Sequence, residues 1–98
     1  MSVFGDIIST PNPVLIAFYA GWHYLTEEIT ETLQQVTIEL KDNAKILKMD
    51  IDKNREIIKA LKINGIPTFL IYYRGELVWR ADGEQTAEML IKEINKYV

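Results

Sequence analysis

The segment Val14–Ala20 (VLIAFYA) places the strongest constraint on the fold, because seven consecutive positions carry no charged or amide side chain. A strand with one face in water alternates apolar and polar residues, whereas a strand covered on both faces is apolar throughout. Two prolines before it, Pro11 and Pro13, oppose helix and separate it from an amphipathic segment, Ser2–Ile8, that favours a short helix. The run therefore predicts a central strand of a parallel or mixed sheet.

Helical and extended patterns alternate along the rest of the chain. A helix is predicted from about Leu25 to Leu40, because apolar residues recur there on one face. The other predicted elements are a strand over Lys45–Ile51, a short helix carrying Ile57, Ile58 and Leu61, strands over Thr68–Tyr73 and Glu76–Arg80, and a last helix after Thr86. The helix that connects the first two predicted strands requires these strands to be parallel. A tight hairpin at Arg74-Gly75 makes the last two strands antiparallel, so a mixed sheet is predicted.

Three polar side chains stand where helices are predicted to begin. Thr26, Asp52 and Thr86 each precede or open a helical pattern. A hydroxyl or carboxylate oxygen at such a position accepts a hydrogen bond from a main-chain N–H of the first turn. All three are therefore expected to cap helices.

Length and composition narrow the classes of function. The 98 residues predict a single domain over residues 1–98, and the net charge of −3 argues against nucleic acid as a partner. No window reaches the length of a membrane span, and the start Met1–Asp6 lacks the basic and apolar parts of a secretory signal. The absence of cysteine excludes a disulfide framework and cysteine-ligated metal sites. We expect a cytoplasmic protein without cofactor or metal.

Several local motifs resemble those of the thioredoxin family. They are Phe18-Tyr19-Ala20-Gly21-Trp22, Asp50-Ile51-Asp52 with Asn54, Gly65-Ile66-Pro67-Thr68, Arg74-Gly75-Glu76, and Gly83 before the last helix. The resemblance implies an α/β thioredoxin fold, with three α/β/α layers around a mixed sheet of about four strands and a cis peptide bond before Pro67. The family's first strand has no counterpart in this sequence, which leaves Lys45–Ile51 at a sheet edge.

The sequence departs from the family at its reactive positions. His23, Tyr24, Leu25 and Thr26 stand where thioredoxins have Cys-Gly-Pro-Cys. Thiol–disulfide exchange needs a thiolate as its nucleophile, so this chain is not expected to be a thiol oxidoreductase. Ala17 stands where the family keeps a buried aspartate, and a family lysine near that carboxylate, Lys48, has lost this partner.

The resemblance implies that a polypeptide-binding surface remains although the thiols are absent. In thioredoxins the main chain before the cis-proline pairs with an extended substrate, and such pairing needs no cysteine. We therefore predict a redox-inactive adaptor, chaperone-like module or complex subunit that binds a protein or an extended peptide. Its predicted contact residues, called the binding groove below, are Trp22, His23, Tyr24, Leu25, Thr26, Gly65, Ile66, Pro67 and Gly83.

Two other hypotheses belong to different classes. His23 is the single histidine, and the dipole at a helix N-terminus disfavours a charged imidazole, so a neutral ring could act as a base in a non-thiol enzyme. No second catalytic group stands beside it. Alternatively, the edge strand Lys45–Ile51 pairs with another chain, in a homodimer or a strand-docking complex, unless Lys45 and Lys48 guard that edge.

Overall fold

The apolar run predicted as a central strand forms β1, and it has a strand on each side. The computed structural model describes residues 3–98, so Ser2 of the predicted first helix lies outside the described residues. The elements are α1 (Val3–Ile8), β1 (Val14–Tyr19), α2 (Thr26–Leu40), β2 (Lys45–Asp50), α3 (Arg55–Ala60), β3 (Thr68–Tyr73), β4 (Glu76–Asp82) and α4 (Ala87–Ile94). The first five residues of β1 are buried, as expected for a strand covered on both faces.

The sheet has four strands in the order β2-β1-β3-β4. β2 runs parallel to β1, because α2 carries the chain back to the same end of the sheet. β3 is antiparallel to both β1 and β4. The predicted mixed sheet is confirmed, and within residues 3–98 β2 lies at one edge.

Helices cover both faces of the sheet. On one face, buried residues of α2 and α4, such as Leu33 and Leu90, pack against Ala17 of β1. On the other, Ile8 of α1 and the partly buried Ile58 of α3 pack against neighbouring strand residues. The predicted three-layer α/β/α arrangement is confirmed.

The β3–β4 hairpin turns at the predicted dipeptide. Arg74 has φ 52° and Gly75 has φ 85°, and two successive positive φ angles are the signature of a type I′ turn. The second strand is longer than predicted, because Ala81 and Asp82 continue the pairing with β3.

Two of the three predicted helix caps are wrong. The hydroxyl of Thr86 does accept a hydrogen bond of 3.1 Å from the N–H of Met89. Thr26, however, is already inside α2, and its hydroxyl donates a 2.6 Å hydrogen bond back to the carbonyl of Ala20. Asp52 does not cap α3 either, since Asn54 occupies the position before that helix and makes no side-chain cap.

The predicted strand Lys45–Ile51 is one residue shorter in the structure. β2 ends at Asp50, although the N–H of Ile51 still donates a 2.9 Å hydrogen bond to the carbonyl of Tyr19. Among the described residues, no helix combines the length and the apolar character that crossing a membrane requires.

Candidate functional site

A tight turn after β1 presents the residues that replace the family's reactive motif. The N–H of His23 donates to the carbonyl of Ala20 at 3.0 Å, and the N–H of Thr26 donates to the carbonyl of His23 at 3.2 Å. The hydroxyl of Thr26 also donates to Ala20, which joins the first residue of α2 to the end of the strand. The side chain of Thr26 is thus directed toward the main chain, whereas its neighbours Trp22 and Tyr24 are exposed.

Three aromatic rings follow one another across this turn. Trp22 is 70% exposed and Tyr24 is 84% exposed, which is unusual for side chains with so much apolar surface. The His23 ring stacks on Tyr24 with 4.6 Å between ring centroids, and it lies 5.8 Å from the Trp22 ring. The indole N–H of Trp22 donates a 2.9 Å hydrogen bond to the Asp52 carboxylate. Trp22 therefore keeps a defined orientation while most of its ring faces solvent.

The hydrogen bonding of His23 argues against a role as a base. Its Nδ1 accepts a hydrogen bond of 3.2 Å from the N–H of Leu25. In the neutral ring the proton then lies on Nε2, so Nδ1 is occupied and Nε2 is a donor. Within residues 3–98, no group of three or more His, Asp or Glu side chains is arranged to hold a metal ion. The geometry favours His23 as a hydrogen-bond donor and stacking partner.

The loop that enters β3 carries a free main-chain segment. The Ile66–Pro67 peptide bond is cis. The carbonyl of Gly65 accepts from the Thr68 hydroxyl at 2.8 Å, and the carbonyl of Pro67 accepts from the N–H of Gly83 at 2.8 Å. Between them, neither the N–H nor the carbonyl of Ile66 has a hydrogen-bond partner in the part of the chain that the structure describes.

Two pockets flank this segment. The first, called the tryptophan pocket, has a volume of about 210 Å³ and is mostly apolar. It is lined by Trp22, Ile51, Ile58, Ile63, Asn64, Gly65 and Ile66. The burial of Ile63 and the partial burial of Ile58 hold its floor in place.

The second, called the proline pocket, is an open cleft of about 450 Å³. Leu25, Pro67 and Phe69 give it an apolar floor, while Glu28 and Glu84 bring carboxylates to it. Since Ile66 lines the first pocket and the adjacent Pro67 lines the second, a chain lying across this dipeptide would reach both.

The structure brings most of the predicted groove residues together. Trp22, Gly65 and Ile66 share the tryptophan pocket, and Leu25 and Pro67 share the proline pocket. His23 and Tyr24 extend the aromatic surface beside Trp22, and Gly83 is hydrogen-bonded to Pro67. Thr26 lines neither pocket.

Sequence reasoning missed three acidic side chains of this site. Asp52 was assigned to a helix cap but holds Trp22, which is 30 residues away in sequence. Glu28 and Glu84 were not among the predicted residues of the binding groove. No local pattern in the sequence signals these contacts, because they depend on how α2, α4 and the loop after β2 approach the groove.

Ala17 and Lys48 lie opposite each other in the β1–β2 register. Ala17 is fully buried. Lys48 lacks the family's carboxylate and is exposed, but its side chain does have partners. Its Nζ donates a 3.2 Å hydrogen bond to the Thr30 hydroxyl and lies 5.0 Å from the centroid of the Tyr19 ring.

Comparison with known proteins agrees with this architecture. The sequence model of the thioredoxin family matches residues 2–96. A thioredoxin-like protein of Synechocystis sp. is 32% identical over 92 residues, which cover 94% of this chain and 88% of that protein. A thioredoxin of Rickettsia felis is 32% identical over 93 residues, covering 95% and 89%. A mutant thioredoxin from Halobacterium salinarum superposes with a TM-score of 0.84 at 28% identity, covering 96% of this chain and 81% of that one. The chain therefore belongs to the thioredoxin family.

Proposed function

We propose that this protein is a redox-inactive member of the family that binds an extended polypeptide segment in the binding groove, as an adaptor or complex subunit. The observation that carries the proposal is the main chain of Ile66, which has no hydrogen-bond partner within residues 3–98 although the carbonyls of Gly65 and Pro67 on either side are paired. Ile66 is partly buried, and a main-chain N–H and carbonyl without partners favour an incoming strand, because such groups form hydrogen bonds when they are removed from water.

The proposed loss of redox activity follows from the chemistry of the side chains present. Disulfide exchange proceeds by attack of a thiolate on a disulfide sulfur. Methionine is the single sulfur-containing residue type in this chain, and its thioether cannot perform that attack. His23 and Thr26 occupy the positions of the two family thiols, and each is engaged in a hydrogen bond that stabilises the turn.

The two pockets suggest what kind of segment would bind. The tryptophan pocket offers an apolar site beneath an exposed indole, which suits an aliphatic or aromatic side chain. The proline pocket combines an apolar floor with Glu28 and Glu84, which suits the methylene stem and cationic end of a lysine or arginine. We propose a partner segment that carries an apolar residue and a basic residue on either side of its contact with Ile66.

Selection from a random-peptide phage library, followed by titration of the selected peptide, tests this proposal. Chemical-shift changes on peptide addition are expected at the Ile66 and Gly83 amides and at the Trp22 indole N–H. The Ile66→Pro variant lacks the N–H and should bind at least about fivefold more weakly, since a lost hydrogen bond costs about 1 kcal/mol or more. The Ile66→Val variant retains the main-chain donor and should bind like the wild type.

Circular dichroism must first show that both variants are folded. Peptides that shift only residues of the β2 edge, or that bind Ile66→Pro as tightly as Ile66→Val, would contradict the groove assignment. Insulin reduction by dithiothreitol, monitored by turbidity, checks the redox part separately. An acceleration by this protein would contradict redox inactivity while leaving the binding result untouched.

A further inference from the structure

We propose that two copies of this chain associate through β2, so that two four-stranded sheets continue as one eight-stranded sheet across a two-fold axis. The outer edge of β2 lies on the side of β1 that is opposite β3. The proposal concerns this edge and is separate from the binding groove. The occupant we assign to the edge is a second copy of the same chain. The reasons are the direction of the main chain, the position of Lys48, an apolar groove beside the strand, and the charges along it.

The outer side of β2 carries main-chain groups that pair with no strand in residues 3–98. The N–H groups of Lys45 and Ile51 donate to carbonyls of Pro13 and Tyr19, which places the odd-numbered residues of β2 toward β1. Because main-chain direction alternates along a strand, the N–H groups of Ile46, Lys48 and Asp50 point away from the sheet. An unprotected edge of this kind is a template for another strand.

Both lysines that could guard this edge, Lys45 and Lys48, are exposed, and Lys48 is held against the face of the sheet that α2 covers. The Lys48 Nζ donates to the Thr30 hydroxyl on α2 and lies over the ring of Tyr19 on β1, so the ammonium group lies beside the sheet face and leaves the outward main-chain groups accessible. The other sheet edge, β4, is protected differently. Its pairing with β3 is interrupted by an irregularity at Ile71 and Tyr72, and such irregularities disfavour the addition of a further strand. Of the two edges in the described part of the chain, β2 is therefore the more open.

An apolar groove of about 500 Å³ lies between α2 and β2. We call it the edge groove; Leu33, Ile38 and Ile46 provide its apolar surface. Ile38 is 74% exposed, although it belongs to the helix that packs on this face. Antiparallel strands in one sheet are related by an axis perpendicular to the sheet, so the α2 helices of both copies lie on the same side. The operation that pairs the strands therefore also brings the two edge grooves together and covers Ile38.

The charges on β2 select one register. In an antiparallel pair of β2 strands, the residues whose N–H groups point outward lie opposite each other. This rule allows only a few registers between β2 and its copy. Centring the pair on Lys48 places two ammonium groups opposite each other, which is unfavourable. Centring it on Met49 places Lys48 opposite Asp50 of the partner subunit, twice by symmetry. The Asp50 Oδ1 already accepts from the N–H of Asp52, and Oδ2 has no donor among residues 3–98.

A single engineered cysteine tests this geometry, because the chain has none of its own. In the proposed register two copies of residue 49 face each other as a non-hydrogen-bonded pair, with Cα atoms about 4.5 Å apart, which suits a disulfide. Met49→Cys should form a covalent dimer under mild oxidation. The matched control, Leu77→Cys, places an exposed cysteine on the β4 edge and should stay monomeric. Equal cross-linking of both variants, or none with Met49→Cys, would overturn the proposal.

A charge reversal tests the register independently. Sedimentation of the wild type should show a concentration-dependent dimer, and a strict monomer at all concentrations would overturn the proposal. Lys48→Asp places carboxylates opposite each other and should weaken the dimer at least about tenfold. Adding Asp50→Lys to that variant restores opposite charges and should recover most of the affinity. Lys92→Asp on α4 serves as the matched control. Failure of the double variant to recover, with circular dichroism showing it folded, would refute the register.

Failure of this proposal and failure of the groove proposal are distinguishable. Self-association and edge cross-linking report on β2, whereas the amide shifts of Ile66 and Gly83 report on the groove. A monomeric protein that still binds the selected peptide would reject the first and leave the second standing.

Discussion

The main-chain N–H of Gly83 donates a 2.8 Å hydrogen bond to the carbonyl of Pro67. This bond connects the end of β4 to the loop that enters β3, and it satisfies the carbonyl next to the unpaired main chain of Ile66. Gly83 adopts φ +101°, a conformation that residues with a side chain rarely take. The geometry of the binding groove therefore depends on a glycine at this position.

Replacing Gly83 by alanine should destabilise the fold. A Cβ at Gly83 would meet open space, so the cost arises from the positive φ and should be about 1–3 kcal/mol. Gly65→Ala is the matched control, because a Cβ there also meets open space and its φ does not lie in the positive range. Urea denaturation of the three proteins checks this. Equal stability of the two variants would contradict the assigned cause.

Arg80 should be important for stability although it lies on an edge strand. Its guanidinium donates to the carbonyls of Leu61 and Lys62 at 2.7 and 3.0 Å, at the C-terminal end of α3. Arg80→Met keeps the stem but removes these charged donors and should cost about 1.5–3 kcal/mol. Lys96→Met removes the ion pair between the exposed Lys96 and the partly buried Glu93, three residues apart on the surface, and should cost about 1 kcal/mol. Chemical denaturation that ranks the two variants in the opposite order would refute this role.

Stability should depend on Tyr72 at alkaline pH. Burial raises the pKa of the Tyr72 hydroxyl above its usual value of 10.0, and the positive charge of Arg80 offsets part of this increase. Because the pKa of Tyr72 is higher in the folded state than in the unfolded state, its buried neutral hydroxyl contributes fully to the stability of the fold below pH 10. This contribution to stability is lost as the pH rises through and beyond 10. The wild type should therefore lose more stability than Tyr72→Phe between pH 9 and 11, to be measured by urea denaturation. Parallel pH profiles would contradict this linkage.

Returning an aspartate to position 17 should destabilise the protein. Ala17 is fully buried, and Lys48 opposite it is engaged with Thr30 and Tyr19. A buried carboxylate without a partner has a raised pKa, so Ala17→Asp should cost about 3 kcal/mol or more at neutral pH. That penalty should shrink as the pH falls toward 4, the usual range of the aspartate pKa. Ala17→Asn, similar in size but uncharged, should show no such pH dependence. If the stabilities of the two variants changed with pH in the same way, the cost would come from side-chain volume alone.

The β1 strand and the helix caps show where sequence reasoning succeeds and where it fails. Seven apolar residues between breakers can satisfy burial only in a covered strand, and β1 is such a strand. The cap at Thr86 was predicted correctly because its partner, Met89, lies three residues away. The cap at Thr26 was wrong because Thr26 is itself the first residue of α2. The turn after β1 brings the Ala20 carbonyl within reach of its hydroxyl, which therefore donates to Ala20 instead of capping the helix.

The residues of the binding groove likewise fall into those that the sequence identified and those that it did not. Exposed aromatic residues at a strand end and the Gly-Ile-Pro-Thr loop could be recognised from local motifs. The carboxylates that surround them, Asp52, Glu28 and Glu84, could not, because each belongs to a different segment.

By itself the sequence determined the order of the elements, their amphipathic faces and the absence of cysteine, since periodicity, turn residues and residue type are local properties. Tertiary structure alone decided that Asp52 holds Trp22 and that Arg80 reaches the end of α3. Within residues 3–98, it likewise left the Ile66 main chain without a hydrogen-bond partner. Such contacts join residues far apart in sequence, and they exist because packing of both sheet faces brings the segments within hydrogen-bond distance of about 3 Å.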